Sequence, residues 1–141
     1  MTPPDPNNLK RFVDAQAPVY DQVCAELRAG LKTSHWIWFI FPQIAGLGYS
    51  PMAQRFAISG RSEAIGYLQH PVLGPRLAEC TQLLNAHAGQ DIVDMLGEID
   101  AIKFRSSMTL FATVAKEPRI FMDALQIFCR GEMDGLTLER L

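Results

Sequence analysis

Six consecutive apolar side chains, Trp36-Ile37-Trp38-Phe39-Ile40-Phe41, constrain this chain more than any other feature. The run is far too short to cross a bilayer, and six large apolar groups left in water would drive aggregation. The rest of the chain therefore has to fold around it. Ser34 before the run is a candidate helix N-cap and Pro42 after it is a stop, which leaves room for about two helical turns or one buried strand. A segment that is apolar all round has no periodicity to separate the two. Its helical neighbours, and the lack of a second strand-like run to pair with it, favour helix.

A chain of 141 residues is long enough to bury such a run in one domain without staples. Hydrophobic residues at 48% against charged residues at 20% describe a folded globule. The net charge is −2 and the basic residues are scattered, with Lys10-Arg11 the longest run, so general nucleic-acid binding is not expected. Cys24, Cys80 and Cys129 are widely spaced at apolar positions of helical patterns. They read as buried reduced thiols, and neither a metal nor a cofactor is expected. The N-terminus lacks the basic and apolar regions of a signal peptide and no segment is long enough to span a membrane, so the expectation is a cytoplasmic protein of bacterial type.

Glycine and proline cut the remainder into short helical units. Residues 1–7 carry three prolines and read as a flexible arm leading to an N-cap at Asn7 or Asn8. Leu9, Phe12, Val13 and Gln16 mark a first helix, and Val19, Tyr20, Val23, Cys24 and Leu27 a second that Gly30 closes in a left-handed cap. Ser50-Pro51 opens a helix that Gly60 ends, Ser62-Glu63 opens one that stops before His70-Pro71, and Val72 to His87 forms a longer amphipathic stretch. Asp91 caps a brief turn ended by Gly97. A helix over 99–115 follows, with Ile102, Met108, Phe111, Ala112 and Ala115 inside. Pro118 begins the last long helix, whose Phe121, Leu125, Phe128 and Cys129 face the core, and the three leucines beyond Met133 should dock the tail. The expected fold is a single irregular all-α domain of short helices around the buried aromatic segment.

Two stretches carry candidate chemistry. On a helix, Asp100, Lys103 and Ser107 share one strip, with a carboxylate, an ammonium and a hydroxyl in line. Together with Arg105, Ser106 and Thr109 this strip can hold a phosphate or a ribose. The bland alternative is an exposed face with an Asp100–Lys103 ion pair worth a few tenths of a kcal/mol. In the aromatic stretch, His35 takes the first helical position if Ser34 is the cap, which makes it a candidate base or stacking ring beside Trp36 and Trp38. The alternative is that the tryptophans anchor the core and His35 is a satisfied surface residue. Gln43, with Gly46 and Gly48, can read a flat heterocycle through an amide and exposed backbone, although turns need glycine too. His70 and His87 stand alone and read as structural. No dinucleotide fingerprint, phosphate loop, nucleophile elbow or zinc-protease motif is present.

The blocks Phe12-Val13-Asp14-Ala15-Gln16, Ser34 to Gln43, Gly46-Leu47-Gly48, His70-Pro71-Val72-Leu73-Gly74 and Lys103 to Phe111 resemble those of the bacterial family domain of unknown function 1810, over nearly the whole length. The resemblance implies a small, mostly helical, cytoplasmic domain and brings no activity with it. The calpastatin label that some members carry does not suit a packed globule, since calpastatin's inhibitory repeats are disordered. A looser likeness, resting on the helix that bears Lys103-Phe104 and on the aromatic early segment, is to the NADAR (YbiA-like) proteins, which process ADP-ribose or related N-glycosides. It transfers no catalytic residues but offers a chemistry, cleavage of an N-glycosidic bond through an oxocarbenium-like transition state assisted by a carboxylate and a lysine near the ribose, for which Asp100 and Lys103 are the candidates.

Two functions follow. A small-molecule site for a nucleotide or ADP-ribose-like ligand, binding or hydrolytic, requires His35, Gln43, Lys103 and Arg105 to converge on one cleft. A non-enzymatic interaction or self-associating domain requires them to scatter and an apolar patch to stay exposed. The polar richness of the two stretches favours the first.

Overall fold

Ten α-helices and no strand make up the described residues, 4–141, of the structure, a computed structural model. They are α1 (Lys10–Gln16), α2 (Tyr20–Ala29), α3 (Ile37–Ile40), α4 (Pro51–Arg55), α5 (Arg61–Gln69), α6 (Leu73–Asn85), α7 (Ile92–Leu96), α8 (Glu98–Val114), α9 (Arg119–Cys129) and α10 (Gly135–Glu139). The longest, α8, runs through the middle and packs against α3, α5, α7, α9 and α10. Aromatic rings tie the layers together. Phe41 meets Phe104 of α8 edge-on at 4.9 Å, while Phe12, Tyr67, Phe111 and Phe121 form a second chain of contacts across α1, α5, α8 and α9.

Much of the expected punctuation is present. Gly30 caps α2 at φ 70°, Ser50 Oγ accepts the Ala53 N–H ahead of Pro51, and Asp91 accepts the Val93 N–H at 2.7 Å. His70 Nδ1 accepts the N–H groups of Val72 and Leu73 at the start of α6, and His87 Nε2 bonds the Leu27 carbonyl at 2.8 Å. The C-terminal tail docks, but through polar contacts and not mainly its leucines, since Leu136 and Leu138 are exposed. Asp134 accepts from the Ser106 hydroxyl and from Thr137, while its N–H donates to Thr109 Oγ1, so α10 is pinned to α8.

Several boundaries differ, each because a distant partner outbids the local one. The aromatic run contains a single helical turn, Ile37–Ile40, with Trp36 and not Ser34 at its N-cap position. Ser34 is drawn to Glu26 instead, so His35 lies ahead of the helix. Neither Asn7 nor Asn8 caps α1: Asp5 accepts the Leu9 and Lys10 N–H groups at 2.7 and 3.0 Å, and Asn8 takes a left-handed turn at φ 51°. Residues 1–3 of the expected arm lie outside the described residues. Helix α4 stops at Arg55, well before Gly60, because the chain turns so that the Ile58 N–H reaches Gln43 O and the Ala45 N–H reaches Ile58 O, a lone parallel bridge. Gly60 opens α5 instead, and Glu63 in its first turn accepts the Ser59 N–H and pairs with Arg11 at 2.8 Å. The Arg11 guanidinium also donates to the carbonyls of Asn7, Asn8, Arg55 and Ala57.

Candidate functional site

Glu26 of α2 shapes the path of the chain into the aromatic segment. One carboxylate oxygen accepts the N–H groups of Thr33, Ser34 and the Trp36 indole at 2.7, 3.0 and 3.0 Å. The other accepts from the Ser34 hydroxyl and Gln22 at 2.6 and 2.9 Å. Burial pushes this carboxyl up, but the hydrogen bonds from Ser34, Gln22, Thr33 and Trp36 outweigh burial and hold it well below the usual carboxylate range. Trp36 is consequently a core anchor, 1% exposed, with its only polar side-chain atom satisfied.

Helix α8 presents three faces to this frame. On the first, Asp100 and Lys103 meet the incoming segment, but not each other. Asp100 pairs with Lys32 at 2.7 Å, and the Lys32 ammonium lies 5.1 Å from the Trp36 ring centroid. Lys103 lies 5.2 Å from the Trp38 centroid and has no carboxylate within ion-pair distance among the described residues. Ser107, one turn further along, is fully buried, and neither its hydroxyl nor the buried Trp38 indole N–H has a partner among the described residues.

The second face belongs to α10. Arg105 donates to the carbonyls of Glu132 and Met133 at 2.9 and 2.8 Å, and Ser106 donates to Asp134 at 2.9 Å. These two residues secure the tail. The remaining sequence candidates lie elsewhere again. His35 is exposed and Gln43 half-buried, with its carbonyl in the bridge to Ile58. Gly46, at φ 96°, lies under the Arg140 guanidinium, and a Cβ on Gly48 would come within 2.7 Å of Ala53 Cβ. Asp100 is thus linked to Trp36 through Lys32, and Lys103 to Trp38, whereas His35, Gln43, Lys103 and Arg105 do not share either of the two cavities described below.

The third face was misread in the sequence. Ile102 is 63% exposed and Ile99 is 70% exposed, so the expectation that Ile102 points inward is overturned. Its place on the wheel carried the signal: it lies nearly opposite Phe104, Met108 and Phe111, which are fully buried. With Val93 of α7, Ile102 borders a groove of about 410 Å³ whose floor includes Ala101, Phe128 and Cys129. Phe128 and Cys129, expected in the core, are therefore only half-buried. Burial still pushes the Cys129 thiol up. Both charge signs frame the groove, Glu98 and Glu132 against Arg105 and Arg130. A separate cavity of about 600 Å³ opens between α5, α6 and the α8–α9 turn.

The family described as "Protein of unknown function (DUF1810)" matches residues 6–141. The chain belongs to the DUF1810 family. A crystal structure of the conserved hypothetical protein Rv1873 from Mycobacterium tuberculosis is similar to it over 97% of this chain and 98% of that one, at 51% identity and a TM-score of 0.95. None of the curated proteins matches the chain. Among the described residues of this DUF1810 domain, no helix is long and apolar enough to cross a membrane, and no group of three or more His, Cys, Asp or Glu side chains is arranged to hold a metal ion. The helical fold implied by the resemblance is the one observed.

Proposed function

We propose that this DUF1810 domain is a non-enzymatic interaction module that self-associates through the α7–α8 face. The observation that carries the reading is the pair of exposed isoleucines on the longest helix, Ile99 and Ile102, continuous through Ile102 with the groove floored by Phe128. Large apolar groups side by side on the longest helix of a fold mark a contact surface. A second copy is the favoured partner because the rim carries two acids and two arginines. With Arg105 already near Glu132 in the same chain at 3.8 Å, a two-fold arrangement that sets Glu98 of one copy opposite Arg130 of the other satisfies the remaining charges, and a net charge of −2 offers little general repulsion.

The association is weak. Burying one isoleucine is worth about 1.5–3 kcal/mol, and the gain from four of them is largely offset by the cost of association, about 4–15 kcal/mol. Sedimentation velocity over a range of concentration tests the reading with wild type and Ile102→Glu. Because a symmetric interface contains each residue twice, the substitution is expected to weaken the dimer by at least about a hundredfold. A wild type that stays monomeric at high concentration, or a dimer indifferent to Ile102→Glu, overturns the reading.

A second reading, binding of a nucleotide or ADP-ribose-like ligand, is supported by Lys103, an ammonium over the Trp38 ring without a carboxylate partner, and by the unpartnered buried Trp38 N–H and Ser107 hydroxyl. Two buried donors and a free cation suit an acceptor-rich anion. In the hydrolytic form of this reading Asp100 has to leave Lys32 before it can assist at a ribose. Thermal shift against NAD, ADP-ribose and nucleotides tests it, since a ligand at a hundredfold over its Kd stabilises by about 2.7 kcal/mol. The reading requires a shift that Lys103→Ala loses.

A further inference from the structure

We propose that the 600 Å³ cavity between α5, α6 and the α8–α9 turn is a binding site for a free aliphatic carboxylate, its chain against the apolar wall and its head group at Lys116 and Arg119. The volume lies within the range of small-molecule sites, about 300–1,000 Å³. Apart from Gln69, the wall is hydrocarbon: Ile65 and Leu68 from α5, Val114 from the end of α8, and Ile120 and Phe121 from α9. The space exists because the α6 side offers only Gly74 and Ala78. Gly74 is pinned, since a Cβ there would overlap the Leu68 carbonyl oxygen, so the α5–α6 corner is tight while Ala78 leaves room beside it.

Charge is confined to one edge of this cavity. Lys116, Glu117 and Arg119 follow one another along the turn, all exposed, for a net charge of one positive. Neither Lys116 nor Arg119 is in an ion pair among the described residues. The first turn of α9 contains no acidic side chain, and Pro118 contributes no side-chain cap, so this edge favours a carboxylate. An inorganic anion leaves the apolar wall unused, a neutral alcohol leaves the cations unused, and a cationic amphiphile meets like charge. The carboxylate with an aliphatic tail matches both halves. This site shares no residue with the α7–α8 groove and stands or falls separately from it.

Isothermal titration calorimetry of the full chain with octanoate, octan-1-ol and acetate tests the assignment. Octanoate is expected to bind, octan-1-ol at least tenfold more weakly, and acetate not measurably. Ala78→Phe, which fills the cavity, is expected to weaken octanoate at least tenfold. The double variant Lys116→Gln/Arg119→Gln, at exposed positions, is expected to bring octanoate down to the affinity of the alcohol and to leave the alcohol unchanged. No octanoate binding at millimolar concentration, equal affinity for octanoate and octan-1-ol, or an affinity unchanged in the double variant overturns the proposal, whether or not Ala78→Phe folds.

Discussion

Replacing Glu26 tests how the aromatic segment is held. Five donors converge on its carboxylate, three on one oxygen and two on the other. Glu26→Gln keeps an acceptor where Thr33, Ser34 and Trp36 donate, and both the Ser34 hydroxyl and the Gln22 amide can turn to accept from the new NH₂. What is lost is charge assistance, about 1 kcal/mol per bond when charged bonds at about 1.5–3 kcal/mol become neutral ones at about 0.5–1.5. Part of that is returned because a buried carboxylate is itself expensive, by several kcal/mol, so the expected net cost is about 1–3 kcal/mol. Glu26→Ala is different in kind. It strands the Trp36 N–H in the core and leaves the N–H groups of Thr33 and Ser34 without their acceptor, at about 1–3 kcal/mol for each unpaired buried group. A loss of about 4 kcal/mol or more is expected, a large share of the 5–15 kcal/mol typical of a whole domain. Urea unfolding followed by tryptophan fluorescence measures both, and each kcal/mol corresponds to about 3 °C in Tm. The pH dependence supplies the sign. The folded carboxyl titrates well below its ordinary value of 4.5, so its stabilisation is complete above that value and is lost as pH falls beneath it. The gap between wild type and Glu26→Gln should therefore close on acidification below about 4.5. The reasoning is refuted if Glu26→Gln melts with wild type at neutral pH, or if Glu26→Ala costs no more than Glu26→Gln.

Three further outcomes follow from single contacts. Gly74→Ala should cost about 1–3 kcal/mol or more by chemical denaturation, because the new Cβ collides with backbone and not with a side chain that can swing aside. Asp134→Ala removes the acceptor shared by Ser106 and Thr137, so limited proteolysis should release α10 while α8 and α9 stay protected. Burial pushes the Cys80 thiol up to about 12 and raises those of Cys24 and Cys129, so thiolate-directed labelling of native protein at pH 8 should be slow, slowest at Cys80, and rapid once urea unfolds the chain. Fast native labelling of Cys80 would contradict its placement.

What the sequence revealed was the local grammar. A left-handed glycine, a serine before a proline and an aspartate before an apolar turn each act on backbone within a few residues, and Gly30, Ser50 and Asp91 do what those rules require. Hidden from it were contests won at a distance. Ser34 has the composition of an N-cap, yet a buried carboxylate on another helix takes its hydroxyl. Asp100 and Lys103 have helical ion-pair spacing, yet Lys32 and Trp38 claim them separately. Arg11 looks like one half of a surface basic pair, yet it fastens the loop before α5 through Glu63. Ile102 is a different failure. Helix α8 is apolar on more than one side, and its inner side is set by Phe104, Met108 and Phe111. The opposing position of Ile102 was readable from the wheel but was masked by its hydrophobicity. Of the candidate residues, the strip on α8 was legible because helical spacing is local, whereas convergence with Gln43 and Arg105 depends on how separate elements pack.

Self-association through the α7–α8 face is tested most directly by following isoleucine, leucine and valine methyl resonances through a dilution series. The expected result is concentration-dependent shifts at Val93, Ile99 and Ile102, with the buried Ile37 and Ile58 unmoved. Spectra that do not change with concentration, or shifts confined to another exposed apolar site such as Leu136 and Leu138 of α10, would contradict it.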